Sequence, residues 1–317
     1  MVLSITGNDL STRIKQVMTG LPNISKVDLK GNANMTPLEI DTGNNKPVYS
    51  KVRPLFGDKK NQIEAELRKW ESEGIIERVN EPVLWASPIH SVKKKDGTWR
   101  VCGDFRRLNN ITKLDKYPLP SLTGFNSTES ACKIFSKVDL KRAYHQVEIV
   151  PRDQNKSSIN TTIGVFKFKR MPFGLKNAGQ CFQRNIHAKL ASLPFVYCLM
   201  DDLIVASKSE EEHFMQMEKL LHTLNENNIV INMDKCVIAK PKVEFLGHIV
   251  SNKGITVPDY RIKAISEYPT PRNKKDLERF LGMFAFVHRF VSNPLNVSAP
   301  LQLSLIHISE PTRLGMI

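Results

Sequence analysis

In the stretch FVYCLMDDLIVAS, Phe195 to Ser207, two adjacent carboxylates interrupt two apolar runs, and no other feature restricts the fold as much. Each run has the length of a short strand, and two residues between such runs predict a β-hairpin over 195–207. Asp suits the turn because its side chain can bond nearby backbone. The same arrangement also suits a metal site, because hard cations such as magnesium take oxygen ligands and carboxylates held side by side need a positive partner. The hairpin alone leaves both readings open.

A third acid shares this setting. Asp139 follows an apolar residue at the end of a predicted strand in IFSKVDLKRAYHQVEI, and with Asp201 and Asp202 it completes the set of acids inside strongly apolar strand contexts. Burying such charges without a partner is costly. Either they lie at strand ends in solvent or a cation neutralises them.

The net charge of +14 on 317 residues points to a polyanionic partner, nucleic acid or a membrane surface. Between Ser91 and Pro120, eight Lys or Arg stand against three Asp, with Trp99, Phe105 and Tyr117 among them. Strands predicted over Ala86–His90 and Thr98–Cys102 flank KKKDG, whose Asp96-Gly97 suits a hairpin turn. A phosphate-binding surface and an ordinary solvated face account equally well for this charge. Phe166 and Phe168 alternate with Lys167 and Lys169, as in a strand with one basic face. Ser251 to Phe290 carries a second basic excess, eight residues against four. Together with the three carboxylates, these regions favour a two-metal site acting on phosphates.

The rest of the chain is mixed α/β without internal repeats. Ile63, Leu67 and Trp70 predict an amphipathic helix over Asp58–Gly74, with Asp58 as N-cap. Ser209 and Glu212 fit a capping box opening a helix over Ser209–Asn228, whose apolar stripe is Phe214, Met217, Leu220, Leu221 and Leu224. Strands are predicted over Val230–Ile238 and Val243–Val250, and a helix carries Leu277, Phe280, Leu281, Phe284 and Val287 on one face. Residues 1–45, rich in Asn, Thr, Gly and Ser, show no clear period and read as a loosely structured leader. Asp41-Thr42-Gly43 suggests an aspartic protease, but Asn-Asn-Lys-Pro follows in place of a strand, which excludes it. The five cysteines are widely spaced without a CxxC, so neither a disulfide framework nor a zinc site is indicated. No run approaches the roughly 18 apolar residues of a membrane span, and the first residues lack the layout of a signal peptide.

The segments WASPIHSVKKKDGTWRVCGDFRRLNN, FSKVDLKRAYHQV, FKFKRMPFGLKNAGQCFQR, LPFVYCLMDDLIVASKSEEEH, INMDKCVIAKPKVEFLGHIV and RFLGMFAFVHRF occur in this order. In order and spacing the chain closely resembles the reverse transcriptases of gypsy-type LTR retrotransposons, over about Leu38 to Pro300. The resemblance implies a right-hand polymerase with an antiparallel palm sheet. The fingers would occupy 46–125 and 151–170, the palm 126–150 and 171–250, and the start of a thumb or connection 251–300. It implies an RNA-directed DNA polymerase that extends a primer on an RNA or DNA template with dNTPs, using two Mg2+ ions for which Mn2+ could substitute. Asp139, Asp201 and Asp202 match the metal-binding aspartates. Tyr144 matches the aromatic gate that excludes a ribonucleotide 2′-OH, which disfavours an RNA-dependent RNA polymerase. Lys94 and Arg100 match residues holding the triphosphate, Phe173 and Gly174 the loop lining the nucleotide pocket, and Phe245, Leu246 and Gly247 the primer grip.

Two departures qualify this expectation. The family's hairpin reads Tyr-x-Asp-Asp, and here Leu199 stands where the Tyr belongs, which predicts an impaired enzyme or a silent nucleic-acid-binding remnant. The chain shows no RNase H or integrase segment, and from Leu303 LSLIHISEPTR reads as a translated sequencing adapter, so 304–317 is taken as a non-native tail. The expected object is a fragment of a retrotransposon polyprotein acting in the cytoplasm within retrotransposon particles, with no membrane partner.

Overall fold

The computed structural model describes residues 9–26, 33–93, 97, 99–120 and 131–309. Its contacts divide the chain into two compact units, Met1–Pro241 and Lys242–Ile317.

The first unit opens with a helix that the leader reading misses. In α1 (Leu10–Gly20), Leu10, Ile14 and Met18 recur every fourth residue and are buried. The period is present but short, and the polar residues around it hide it. Further along, the Ile40 N–H donates to the buried Asp153 carboxylate at 2.8 Å, so this part of 1–45 is also pinned to the unit. Helix α2 (Gly57–Ser72) buries Ile63, Leu67 and Trp70 as predicted, but starts after Phe56, with Asp58 in its first turn instead of at the cap.

A five-stranded sheet follows, ordered β1-β6-β5-β2-β3. Its strands are β1 (Ile76–Arg78), β2 (Ser87–Lys93), β3 (Trp99–Gly103), β5 (Ile159–Thr161) and β6 (Gly164–Phe168). The predicted basic hairpin is the antiparallel pair β2–β3, registered Lys93 to Trp99. Phe166 and Phe168 of β6 are fully buried, whereas Lys167 and Lys169 on the other side both reach Glu77 of β1. Helix α3 (Arg106–Ile111) leads out of β3.

The second sheet of this unit, ordered β7-β8-β4-β9, carries the three acids. It is built from β4 (Ile134–Asp139), β7 (Val196–Leu199), β8 (Asp202–Ser207) and β9 (Val237–Lys240), and all its pairings are antiparallel. Helix α4 (Ala178–Leu190) packs on β7, and α5 (Glu210–Glu226) packs on β8 and receives α1. Ser209 caps α5 by accepting the Glu212 N–H, as the sequence predicts. Behind the sheet, buried His213 of α5 bridges Ser136 of β4 and Ser207 of β8, at 2.7 Å from each hydroxyl.

The single strand predicted over Val230–Ile238 is broken in the structure. Met233–Lys235 forms a helical turn, and only Val237–Lys240 joins the sheet. In the second unit, the strand predicted over Val243–Val250 is likewise a hairpin, β10 (Lys242–Phe245) and β11 (His248–Ser251), continued by β12 (Gly254–Thr256). Leu246 and Gly247 form its turn with φ of 49° and 74°. Positive φ at both central residues is the geometry that matches strand twist in a tight hairpin, and it is unusual for Leu. Helices α6 (Asp259–Ser266), α7 (Lys274–Val287) and α8 (Pro294–Ser309) complete this unit. Leu277, Phe284 and Val287 of α7 are buried, and α8 extends into the segment taken as a tail. Among the described residues, no helix is long and apolar enough to cross a membrane.

Candidate active site

Strand register places the acids together. Asp139, the last residue of β4, is the Cα partner of Asp202, the first of β8. Asp201 belongs to the β7–β8 turn, and its carbonyl accepts the Leu140 N–H at 3.1 Å, tying the turn to the end of β4. Met200, the other turn residue, has φ of 56°.

The electrostatics follow from that crowding. The Asp139 carboxyl is pushed above its usual range, first by burial, with the charges of Asp202 and Asp201 adding to the effect while Lys235 and Lys137 oppose it. Lys137, two residues earlier on the same face of β4, holds Asp202 at 2.9 Å. Among the described residues, no three His, Cys, Asp or Glu side chains converge as a ready-made metal cage. Three carboxylates are nonetheless a hard oxygen donor set, and their mutual repulsion at Asp139 is what a divalent cation would relieve. The residues present fit such an ion.

Beside Asp139 and Asp201 lies a cavity of about 530 Å³ lined also by Arg100, Arg142, Phe173 and Lys235. Of the sequence-selected residues, Asp139, Asp201, Arg100 and Phe173 therefore meet at one cavity. Phe173 is 49% exposed, leaving room for a ligand against it. Tyr144 stands one ring back, its centroid 4.9 Å from Phe173 and 5.7 Å from Phe182. Burial and the nearby Asp201 raise its phenol above the usual range. Gly174 faces a neighbouring cavity with Asp104, Arg106 and Asn109, and Asn109 donates to its carbonyl at 2.8 Å. Leu199 ends β7, paired with Asp202. Lys94 lies outside the described residues. Phe245, Leu246 and Gly247 form the strand end and turn of the second unit's hairpin.

Sequence reasoning missed Lys137, Arg142, His145, Gln183 and Lys235. Lys137 was within reach, since strand period two places it beside Asp139. Arg142 adopts φ of 46° and bonds Glu73, a partner 69 residues away that nothing local reveals. His145 lines the cavity, with burial, reinforced by Arg142 and Arg170, lowering its imidazole to about 3.

Residues 92–250, half of the chain, match the family model described as reverse transcriptase (RNA-dependent DNA polymerase). The chain belongs to the reverse transcriptase family. Its relatives within that family include the retrovirus-related Pol polyprotein from transposon 297 of Drosophila melanogaster, 33% identical over 83% of this chain and 25% of the relative. The Pol polyprotein from transposon opus of the same species is 32% identical over 91% of the chain and 29% of the relative. The Tf2-3 transposon polyprotein of Schizosaccharomyces pombe is 33% identical over 78% and 19%. The chain thus spans less than a third of these curated relatives, consistent with a retrotransposon reverse transcriptase domain. Among solved structures, a foamy viral protease-reverse transcriptase in complex with an RNA/DNA hybrid matches 96% of the chain and 41% of its own, with TM-score 0.84 and 21% identity. The same viral enzyme with double-stranded DNA matches 98% and 65%, with TM-score 0.85 and 22% identity. These reverse transcriptases share its mixed fold with antiparallel sheets.

Proposed function

We propose that this chain is an RNA-directed DNA polymerase, extending a nucleic-acid primer with dNTPs on an RNA or DNA template. The observation that carries the reading is the register of Asp139 with Asp202, with Asp201 in the adjoining turn, at the wall of a cavity that Arg100 also lines. Asp139, Asp201 and Asp202 would hold two Mg2+ ions, with Mn2+ a substitute. When bound, such ions supply polarisation of the attacking 3′-OH and charge relief on the leaving pyrophosphate.

The chain's own residues account for the remainder. Arg100, a planar fork, and Lys94, a point charge, offset the triphosphate. Phe173 offers its exposed face to the nucleotide, and Tyr144 backs that ring where a 2′-OH would intrude. Gly174 lets the neighbouring loop approach closely, and Phe245, Leu246 and Gly247 position the primer end. Binding of nucleic acid by the foamy viral enzymes supports a primer-template as partner.

Leu199 favours a second reading, a folded but silent nucleic-acid-binding remnant. Leucine keeps bulk at that position and lacks the hydroxyl, a loss of about 1 kcal/mol or more in a desolvated site and roughly tenfold in rate. Primer extension on an RNA template with the natural chain, Leu199→Tyr and Asp201→Asn separates them. Extension by the natural chain, lost in Asp201→Asn, is the expected result. Extension by Leu199→Tyr alone would establish the remnant reading, and binding without extension by all three would remove polymerisation as this chain's activity.

A further inference from the structure

The turn that presents Asp201 and Asp202 is strained and lies at a sheet edge. Met200 has φ of 56°, sparsely populated for a residue with a Cβ, and β7 is the outermost strand of its sheet. One side chain holds the turn from outside. That group is the amide of Gln183, a fully buried side chain of α4. Its Oε1 accepts the Met200 N–H at 2.7 Å, and its Nε2 donates to the Cys198 carbonyl at 3.0 Å. One side-chain amide thus bonds residues i and i+2 of the edge strand, as the N–H and C=O of one residue in a neighbouring parallel strand would.

The amide is itself held. With Oε1 committed to Met200, the second Nε2 hydrogen points to His187 Nε2 at 2.8 Å, one helical turn along α4. His187 Nε2 must therefore accept, which puts the single proton of a neutral imidazole on Nδ1, facing Tyr117 Oη at 2.9 Å. A doubly protonated ring would set an N–H against the amide NH2, and burial lowers the His187 imidazole below its ordinary range, favouring the neutral form. The charged groups beside the ring are Arg184, stacked 4.9 Å over Tyr117, and Asp115, which pairs with Arg184 at 2.5 Å. The Asp115 N–H also donates to Asn177 at 3.1 Å, so Tyr117 is fixed to the start of α4 independently of the imidazole.

We propose that His187 and Tyr117 are positioning residues for the catalytic turn, locking the Gln183 amide in the one orientation that holds Met200 and hence Asp201. The proposal rests on the hairpin being the polymerase centre. It adds that the fidelity of the turn's geometry is set by a chain of neutral hydrogen bonds reaching Tyr117.

The test is site-resolved amide hydrogen exchange of the full chain at Met200, in the natural sequence and in His187→Leu, His187→Gln and Tyr117→Phe. The glutamine can accept from Gln183 and donate to Tyr117, so it restores the relay without the ring, and Tyr117→Phe removes one hydroxyl at nearly constant volume. Met200 exchange should rise about fivefold in His187→Leu and Tyr117→Phe, the factor expected for one lost hydrogen bond, and return close to the natural rate in His187→Gln. Natural rates in His187→Leu and Tyr117→Phe, or exchange in His187→Gln as fast as in His187→Leu, would overturn the proposal. In parallel, kcat for primer extension should fall in the two breaking variants with the dNTP KM unchanged. A natural chain that extends nothing would defeat the polymerase reading, while the exchange rates still decide the relay.

Discussion

Acidification should destabilise this protein in part through one residue behind the sheet that carries the three carboxylates. His213 is fully buried, and its two ring nitrogens are engaged by Ser136 and Ser207. Ser207 gives its hydroxyl proton to Gln216 at 2.6 Å and so accepts from Nδ1–H, while Ser136 accepts the Ala239 N–H at 2.9 Å and gives its proton to Nε2. The network is complete only with a neutral ring. Burial lowers the imidazole from 6.5 to about 4. The unfolded chain therefore takes up a proton first as pH falls, and stability fully present above about 6.5 drains away until pH reaches about 4. At about 1.4 kcal/mol per pH unit, the loss is about 1 kcal/mol at pH 5.5 and about 3 kcal/mol at pH 4. Urea unfolding of the natural chain and His213→Gln from pH 7.5 to 4.5 measures it. The variant should be less stable at pH 7.5, and the gap should close by about 2 to 3 kcal/mol at the acid end. A gap constant across that range would refute the reasoning.

Three further outcomes are expected. Lys137→Met leaves Asp202 without its partner, and since both side chains are about 20% exposed, the cost should be about 1–3 kcal/mol, or roughly 3–8 °C in Tm, in EDTA. Millimolar Mg2+ should recover most of it, and an equal deficit with and without the ion would argue against a cation at these carboxylates. A Cβ at Gly103 would overlap the Phe105 ring, so Gly103→Ala should cost about 1–3 kcal/mol by thermal unfolding and weaken the loop that faces Gly174. Ile14→Ala should destabilise the first unit by about 2–4 kcal/mol in urea, because Ile14 is fully buried in a helix that packs on α5 and β9, and a change below about 0.5 kcal/mol would return α1 to the status of a loose leader.

Legibility in the sequence followed the range of the interactions. The hairpin at 195–207, the α5 cap and the Ile63-Leu67-Trp70 face are local patterns, and each forms where its pattern lies. Asp139 was selected by its apolar setting, but only strand pairing could show that it partners Asp202. Failures came where backbone sign or distant contacts decide. Leu246 in a left-handed turn has no residue signature, so the run through Phe245-Leu246-Gly247 reads as the interior of one strand over Val243–Val250. α1 takes its burial from α5, some two hundred residues later. Gln183 looks like any polar helix residue until the edge of β7 arrives beside it.

The pairing of the basic side chains narrows which of the 46 Lys and Arg are left to meet phosphate. Lys167 and Lys169 are already answered by Glu77, Arg53 and Arg106 by Asp104, Lys113 by Asp41 and Arg184 by Asp115. Nucleic-acid affinity depends on salt through the small cations expelled from phosphates, about 0.9 per contact on duplex DNA. A lysine that keeps its own carboxylate expels few of them. A plot of log affinity against log salt should therefore be shallower than the 46 Lys and Arg alone would suggest, with its steepness set by cations such as Arg100 that face open cavity.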